Sequence, residues 1–300
     1  MIINQAALGA VFTNFRADYQ AGMLAAKPLY DRIALTVPSA TREEDYGWLG
    51  QYNGLREWIG DKHLKGLRVH GFSIVNRKFE NTITVPRDDI EDDRVGVLSG
   101  AFKLMGQDAA LHPDRLCFEL LRDGATKPCY DGQYFFDTDH PVDPDDPAAG
   151  TVSNADLTAP GDRPSWILLD TAQVVKPVIF QKRRDYTFTR LDNDGDENVF
   201  MRGEYIYGVE ARVNAGYGLW QLAYGSNKTF DATRYATARA AMQSLKAPSG
   251  NPLGISPTVA LVAPSVEQAA RQVLVAQNDA AGAGNVWAGT AEVIVCPWLG

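Results

Sequence analysis

Apolar residues after Val85 recur at steps of three and four: Leu98, Phe102, Met105 and Ala109, then Leu116 and Leu120. That spacing puts one apolar stripe along a helix. Val85-Pro86 closes an alternating, strand-like run just before it. Asp88 and Asp89 offer an N-cap, and Glu91, Asp92 and Asp93 load the first turn with acid, which suits the positive end of the helix dipole. Gly124 supplies the stop. Pro113 falls inside the stripe and predicts a kink or break near His112.

Two further patterns have a period of two. Val178, Phe180, Tyr186 and Phe188 share one face of a strand. Val199, Met201, Tyr205, Tyr207, Val209, Ala211 and Val213 share one face of a longer one, with Arg202, Glu204, Glu210 and Arg212 opposite and LDNDGDEN as the turn between the arms. The C-terminal part reads as α/β. Asp231 caps a helix, Thr258 to Val262 is a buried strand, a second helix opens at Pro264-Ser265, and Ala291 to Cys296 is a last strand. Near the start, Leu8, Val11, Phe12 and Phe15 form another helical stripe, followed by Tyr19 and Met23. The fold class is therefore α+β.

The stretch from 41 to 84 obeys neither period well. Trp48, Leu49, Leu55, Trp58 and Ile59 sit among Gly47, Gly50, Gly54 and Gly60. Two strand-like runs follow, the first with Phe72 and Ile74, the second with Phe79, Ile83 and Val85, and Asn76-Arg77-Lys78 holds a turn or bulge between them. Aromatics so dispersed make a poor core of their own, which predicts that another chain covers them. Trp48, Leu49, Leu55, Trp58, Ile59, Phe72, Ile74 and Phe79 are the candidate inter-subunit residues. Further on, an aromatic knot at Tyr130, Tyr134, Phe135 and Phe136 leads into a Pro-, Gly- and Asp-rich segment, 141 to 164, expected to be flexible or dependent on contacts.

Three hundred residues suit one large domain or two lobes. The net charge of −8 counts against a nucleic-acid grip, and the one dense basic cluster, Lys182-Arg183-Arg184, reads as a solvated strand face. No apolar run approaches the roughly 18 residues of a membrane span. The start, MIINQAALGAVFTNFRAD, lacks a basic segment followed by an apolar block, so no signal peptide is expected and the chain should stay in the cytoplasm. Cys117, Cys129 and Cys296 are too few and scattered for a disulfide framework or zinc site.

Candidate chemistry is thin. Asp192, Asp194 and Asp196 lack the Gly and Glu positions of a calcium loop and read as a turn. Asp137, Asp139 and His140 could ligate a metal but stand beside Pro141 as turn residues. Cys129 with His140 would serve a cysteine- or metal-dependent hydrolase, the alternative function, although no orienting third group is evident. Phosphate-loop, dinucleotide and nucleophile-elbow motifs are absent from the sequence.

Four strings carry a resemblance: TREEDYGWLGQYNGLREWIGD, KPCYDGQYFFDTDHP, ENVFMRGEYIYGVEARVNAGYG and AEVIVCPWL. Together they resemble the major head subunit of Mu-like phages and prophages, gpT, over nearly the whole chain. The resemblance implies a tailed-phage capsid fold of the Hong Kong 97 phage type. It implies an N-terminal arm (1–45), an extended β-loop (46–84), a peripheral domain with a long spine helix and long β-hairpin (85–230), and an axial-type α/β domain (231–300). The axial lobe would be permuted if the hairpin precedes its helices. It further implies self-assembly into hexamers and pentamers of an icosahedral head, built in the host cytoplasm around double-stranded DNA, with scaffold, portal and decoration proteins as partners. No membrane, cofactor, metal or catalytic residue is implied.

Overall fold

Tyr205, Tyr207, Val209, Ala211 and Val213 alternate between buried and less buried neighbours along a 14-residue strand, and the first sheet is built on it. The computed structural model describes residues 4–49, 72–143, 146–193, 195–279 and 281–300. In chain order the first elements are α1 (Gln5–Ala25), α2 (Tyr30–Ile33), β1 (Ala34–Pro38), β2 (Glu43–Asp45), β3 (Ser73–Val75), β4 (Arg77–Pro86), α3 (Arg87–Glu91) and the long α4 (Val95–Arg122). Then come β5 (His140–Pro141), β6 (Thr151–Val152), β7 (Ala155–Asp156), β8 (Trp166–Leu169), β9 (Val178–Leu191), α5 (Glu197–Arg202) and β10 (Glu204–Tyr217). The last are β11 (Ala223–Ser226), α6 (Ala232–Gln243), β12 (Val259–Val262), α7 (Glu267–Leu274) and β13 (Glu292–Val295).

The first sheet has the order β1-β9-β10-β4, with β9, β10 and β4 antiparallel and β1 added parallel to β9. The inward face of β10 meets α1 and α4. Phe15 stacks on Phe102 with ring centres 4.0 Å apart, and Tyr207 meets both edge-on. Each aromatic pair of this kind adds about 0.5–1.5 kcal/mol beyond its buried area. The second sheet has the order β13-β12-β8-β11-β7, and all four residues of β8, β11 and β12 are buried.

α4 joins the two lobes. Phe102, Met105 and Ala109 face the first lobe, while Cys117, Phe118 and Leu121 enter the core that holds the second sheet. The predicted stripe is therefore present, but the break is not: α4 runs 28 residues straight through Pro113. The proline removes one backbone hydrogen bond, yet the residues on either side are anchored in separate cores, and packing keeps the helix continuous. The predicted start is also corrected. The acidic cluster belongs to α3, which ends in a turn where Asp93 takes φ 56, and α4 opens only at Val95.

Three other expectations shift. Val199 and Met201 are not in the strand. They lie in α5, where Val199 is buried and Met201 is exposed, because Gly203 in the left-handed region ends that helix and period-two alternation begins only at Glu204. Within the expected N-terminal arm (1–45), the helical stripe from Leu8 to Met23 forms α1, packed on the chain's own α4. A boundary at 230/231 does not divide the sheets, since β7, β8 and β11 precede it and pair into the sheet of β12 and β13.

The segment after 141 is tied down at Asn154. Its buried amide donates to the Phe135 carbonyl (2.8 Å), and its oxygen accepts from the Asp137 N–H (2.9 Å). Among the described residues, no helix is long and apolar enough to cross a membrane.

Candidate functional site

The stretch expected to meet another subunit begins at a clamp. β2 and β3 form a two-stranded ribbon in the register Glu43↔Val75, Glu44↔Ile74 and Asp45↔Ser73. The Tyr46 hydroxyl donates to Gln181 (2.9 Å), whose amide donates to the Ile74 carbonyl (2.9 Å), so the ribbon is bonded onto β9. Asn76 then turns the chain from the ribbon into β4; its amide donates to Ser39 and to the Thr41 carbonyl. The expected turn at Asn76 is thus present, but it passes the chain from one sheet to another.

A tight turn follows Tyr46, closed by the Leu49 N–H donating to the Tyr46 carbonyl (3.0 Å). It sorts two adjacent apolar residues to opposite sides. Leu49 is 0% exposed in the chain's own core, whereas Trp48 is 42% exposed. Ile74 is also buried in that core. Phe72 and Phe79 are half-buried, and Phe79 packs on the His112 ring of α4 with centres 4.3 Å apart. Of the described candidates, Trp48 therefore leaves the most surface for a partner, while Leu49 and Ile74 leave essentially none. Leu55, Trp58 and Ile59 lie outside the described residues.

The hydrolase candidates come together in a different way from that chemistry. The Cys129 thiol donates to Oδ1 of Asp131 (3.1 Å), and Nδ1 of His140 meets Oδ2 of the same carboxylate at 2.7 Å. Asp131 thus stands between thiol and imidazole, where a nucleophile–base pair needs the two in contact. Burial, reinforced by the Asp131 charge, pushes the Cys129 thiol well up, away from the reactive thiolate. His140 is stacked on Trp220 with ring centres 4.0 Å apart. Asp137 instead accepts from the Tyr134 and Thr138 N–H groups, as its turn reading expects. Asp196 accepts from the Asn193 N–H and Asp192 pairs with Arg190, while Asp194 is outside the described residues.

Asp131 was not singled out from the sequence. Its signal was the two-residue spacing from Cys129 in the turn CYDG; the distant His140 gave no hint of which carboxylate it would meet.

Comparison with known proteins agrees with this structural character. The family model described as Mu-like prophage major head subunit gpT matches residues 8–299. The chain is 38% identical over 305 residues to the major capsid protein of Escherichia phage Mu, covering all of both chains. It is 41% identical to the Mu-like prophage FluMu major head subunit of Haemophilus influenzae, covering 88% of this chain and 87% of that one. Among solved structures, a chain of the bacteriophage JBD30 procapsid superposes with a TM-score of 0.85 at 42% identity, covering 99% of this chain and 100% of that one. A chain of the JBD30 capsid superposes with a TM-score of 0.80 at 30% identity, covering all of both. The α+β architecture of two sheets bridged by one long helix is thus the tailed-phage capsid fold of the Hong Kong 97 phage type, and the chain belongs to the Mu-like prophage major head subunit family, gpT.

Proposed function

We propose that copies of this capsid subunit close into an icosahedral head of hexamers and pentamers around double-stranded DNA, assembled in the cytoplasm of the bacterial host. The observation that carries this reading is the superposition on a procapsid chain over 99% of the length. Repetition of a few heterologous contacts lets one chain build a large closed shell. A net charge of −8 suits a wall that encloses DNA without gripping it.

In this reading the first sheet with α1 and the N-terminal half of α4 is the peripheral lobe, and the second sheet with α6 and α7 is the axial lobe. The segment rooted at Tyr46 and Ile74 is the extended loop, and it meets a neighbouring subunit through Trp48, Leu55, Trp58 and Ile59, with Phe72 and Phe79 at its base. Scaffold and portal proteins are further partners. A decoration protein is another, by analogy with the JBD30 capsid described as decorated with minor capsid protein trimers.

Negative-stain microscopy of the purified chain, co-expressed with its scaffold, tests the proposal. Closed particles are expected. Monomers alone at high concentration would overturn it.

A further inference from the structure

We propose that Cys129, Asp131 and His140 form a site for one divalent transition-metal cation of the zinc class, which fastens the loop after α4. The thiol, carboxylate and imidazole donor atoms all lie within 4.8 Å of one another. The Cys129 and His140 residues are buried, and the Asp131 side chain is 2% exposed. Sulfur, nitrogen and carboxylate oxygen are the donors that a borderline-soft tetrahedral cation takes.

The hydrogen bonds already drawn are those a cation would replace. Asp131 accepts one proton from the Cys129 thiol and meets Nδ1 of His140 with its other oxygen. Metal binding displaces protons from a thiol and an imidazole nitrogen in this way. Tetrahedral bonds of about 2.0–2.3 Å place donors about 3.3–3.8 Å apart. The contacts of 3.1 and 2.7 Å therefore need to open by only about 1 Å or less.

Charge favours the same occupant. A thiolate, a carboxylate, a neutral imidazole and a divalent cation sum to zero, which suits a buried centre far better than an uncompensated anion. Stacking on Trp220 sets the plane of His140. Its Nε2 is buried without a hydrogen-bond partner among the described residues, so only the Nδ1 side offsets the cost of burying the ring. A cavity of about 340 Å³, lined by Asp131, Tyr130, Pro141, Trp220 and Lys246 among others, borders the site at Asp131 and is large enough to hold water beside that carboxylate. The role assigned is structural: one cation would link the turn at Cys129 and Asp131 to β5 at His140.

The test is metal content and spectrum. The full chain is produced in medium supplemented with zinc, or with cobalt, and purified without chelators under reducing conditions. Elemental analysis should find about one metal per chain, and the cobalt form should show tetrahedral absorption with a thiolate-to-cobalt charge-transfer band. Cys129→Ser and His140→Gln should each cut retained metal about tenfold or more. If those variants fail to fold, the Cys117→Ala, Cys296→Ala double variant decides: its band persists if Cys129 is the sulfur ligand and vanishes if it is not. Wild-type protein with less than about 0.1 metal per chain, or a band that survives Cys129→Ser, would overturn the proposal.

Discussion

Gly22 of α1 lies directly against the backbone of Lys103 in α4: a Cβ built on Gly22 would overlap the Lys103 carbonyl. The relation is reciprocal one turn away, where a Cβ on Gly106 would overlap the carbonyl of Tyr19. The two helices meet backbone to backbone, and no flexible side chain can move aside. Gly22→Ala or Gly106→Ala should therefore force the helices apart and destabilise the unassembled subunit by about 1–3 kcal/mol or more. Gly9→Ala, whose Cβ would meet nothing within 4 Å, is the control expected to leave the melting temperature unchanged or slightly raised.

Asp114 should be the most sensitive polar residue of α4. It is 2% exposed, and its carboxylate accepts from the N–H groups of Leu29 (2.8 and 3.0 Å) and Tyr30 (2.7 Å), so it ties α2 to the long helix. Burial raises its pKa despite those two donors. Asp114→Ala strands both N–H groups and should cost about 2–4 kcal/mol in urea unfolding. Asp114→Asn keeps the shape and one acceptor oxygen and should cost clearly less; equal losses would assign the effect to the carboxylate's charge and second oxygen.

His112 predicts a pH dependence. Burial, helped by Arg115 and Arg77 and opposed by Asp108, lowers its pKa to about 4. Its Nδ1 lies 2.6 Å from the Tyr186 hydroxyl, a hydrogen bond whose donor is set by the ring tautomer. The folded pKa is below the unfolded value, so above about pH 6.5 neither state binds the proton and there is no penalty. As pH falls from about 6.5 to 4, the unfolded chain takes up a proton that the folded chain refuses, and stability is lost. The loss should reach about 2–3 kcal/mol by the lower limit. Urea titrations of unassembled wild type and His112→Gln at both ends of that range check it. The variant should lose less stability than wild type on acidification.

Trp48 and Leu49 separate assembly from folding. Leu49→Ala removes a fully buried side chain and should cost the isolated subunit about 2–5 kcal/mol. Trp48→Ala should change subunit stability by under about 1 kcal/mol and reduce the yield or durability of particles instead. A large loss of subunit stability in Trp48→Ala would remove Trp48 from the proposed interface. Trp58→Ala is the companion measurement for the neighbouring segment.

Periodicity alone determined the scaffold. The step-three-and-four stripe of α4, the alternation from Tyr205 to Val213, the Asp231 cap on α6 and the buried run of β12 were all readable, because each is a local constraint on backbone period. The long specific strings also carried the family, which the matches over residues 8–299 bear out. Only the tertiary structure decided the rest. Pro113 stays in a continuous helix because two cores grip its flanks, which no local propensity records. Leu49 faces inward and Trp48 outward because one tight turn separates neighbours of equal hydrophobicity. The second sheet gathers strands from 155 to 295, a pairing set by loop closure and burial rather than by any short pattern. Cys129, Asp131 and His140 meet for the same reason: nine residues of turn-rich chain bring His140 back to the Asp131 carboxylate, although Asp137 and Asp139 are its nearer neighbours in sequence.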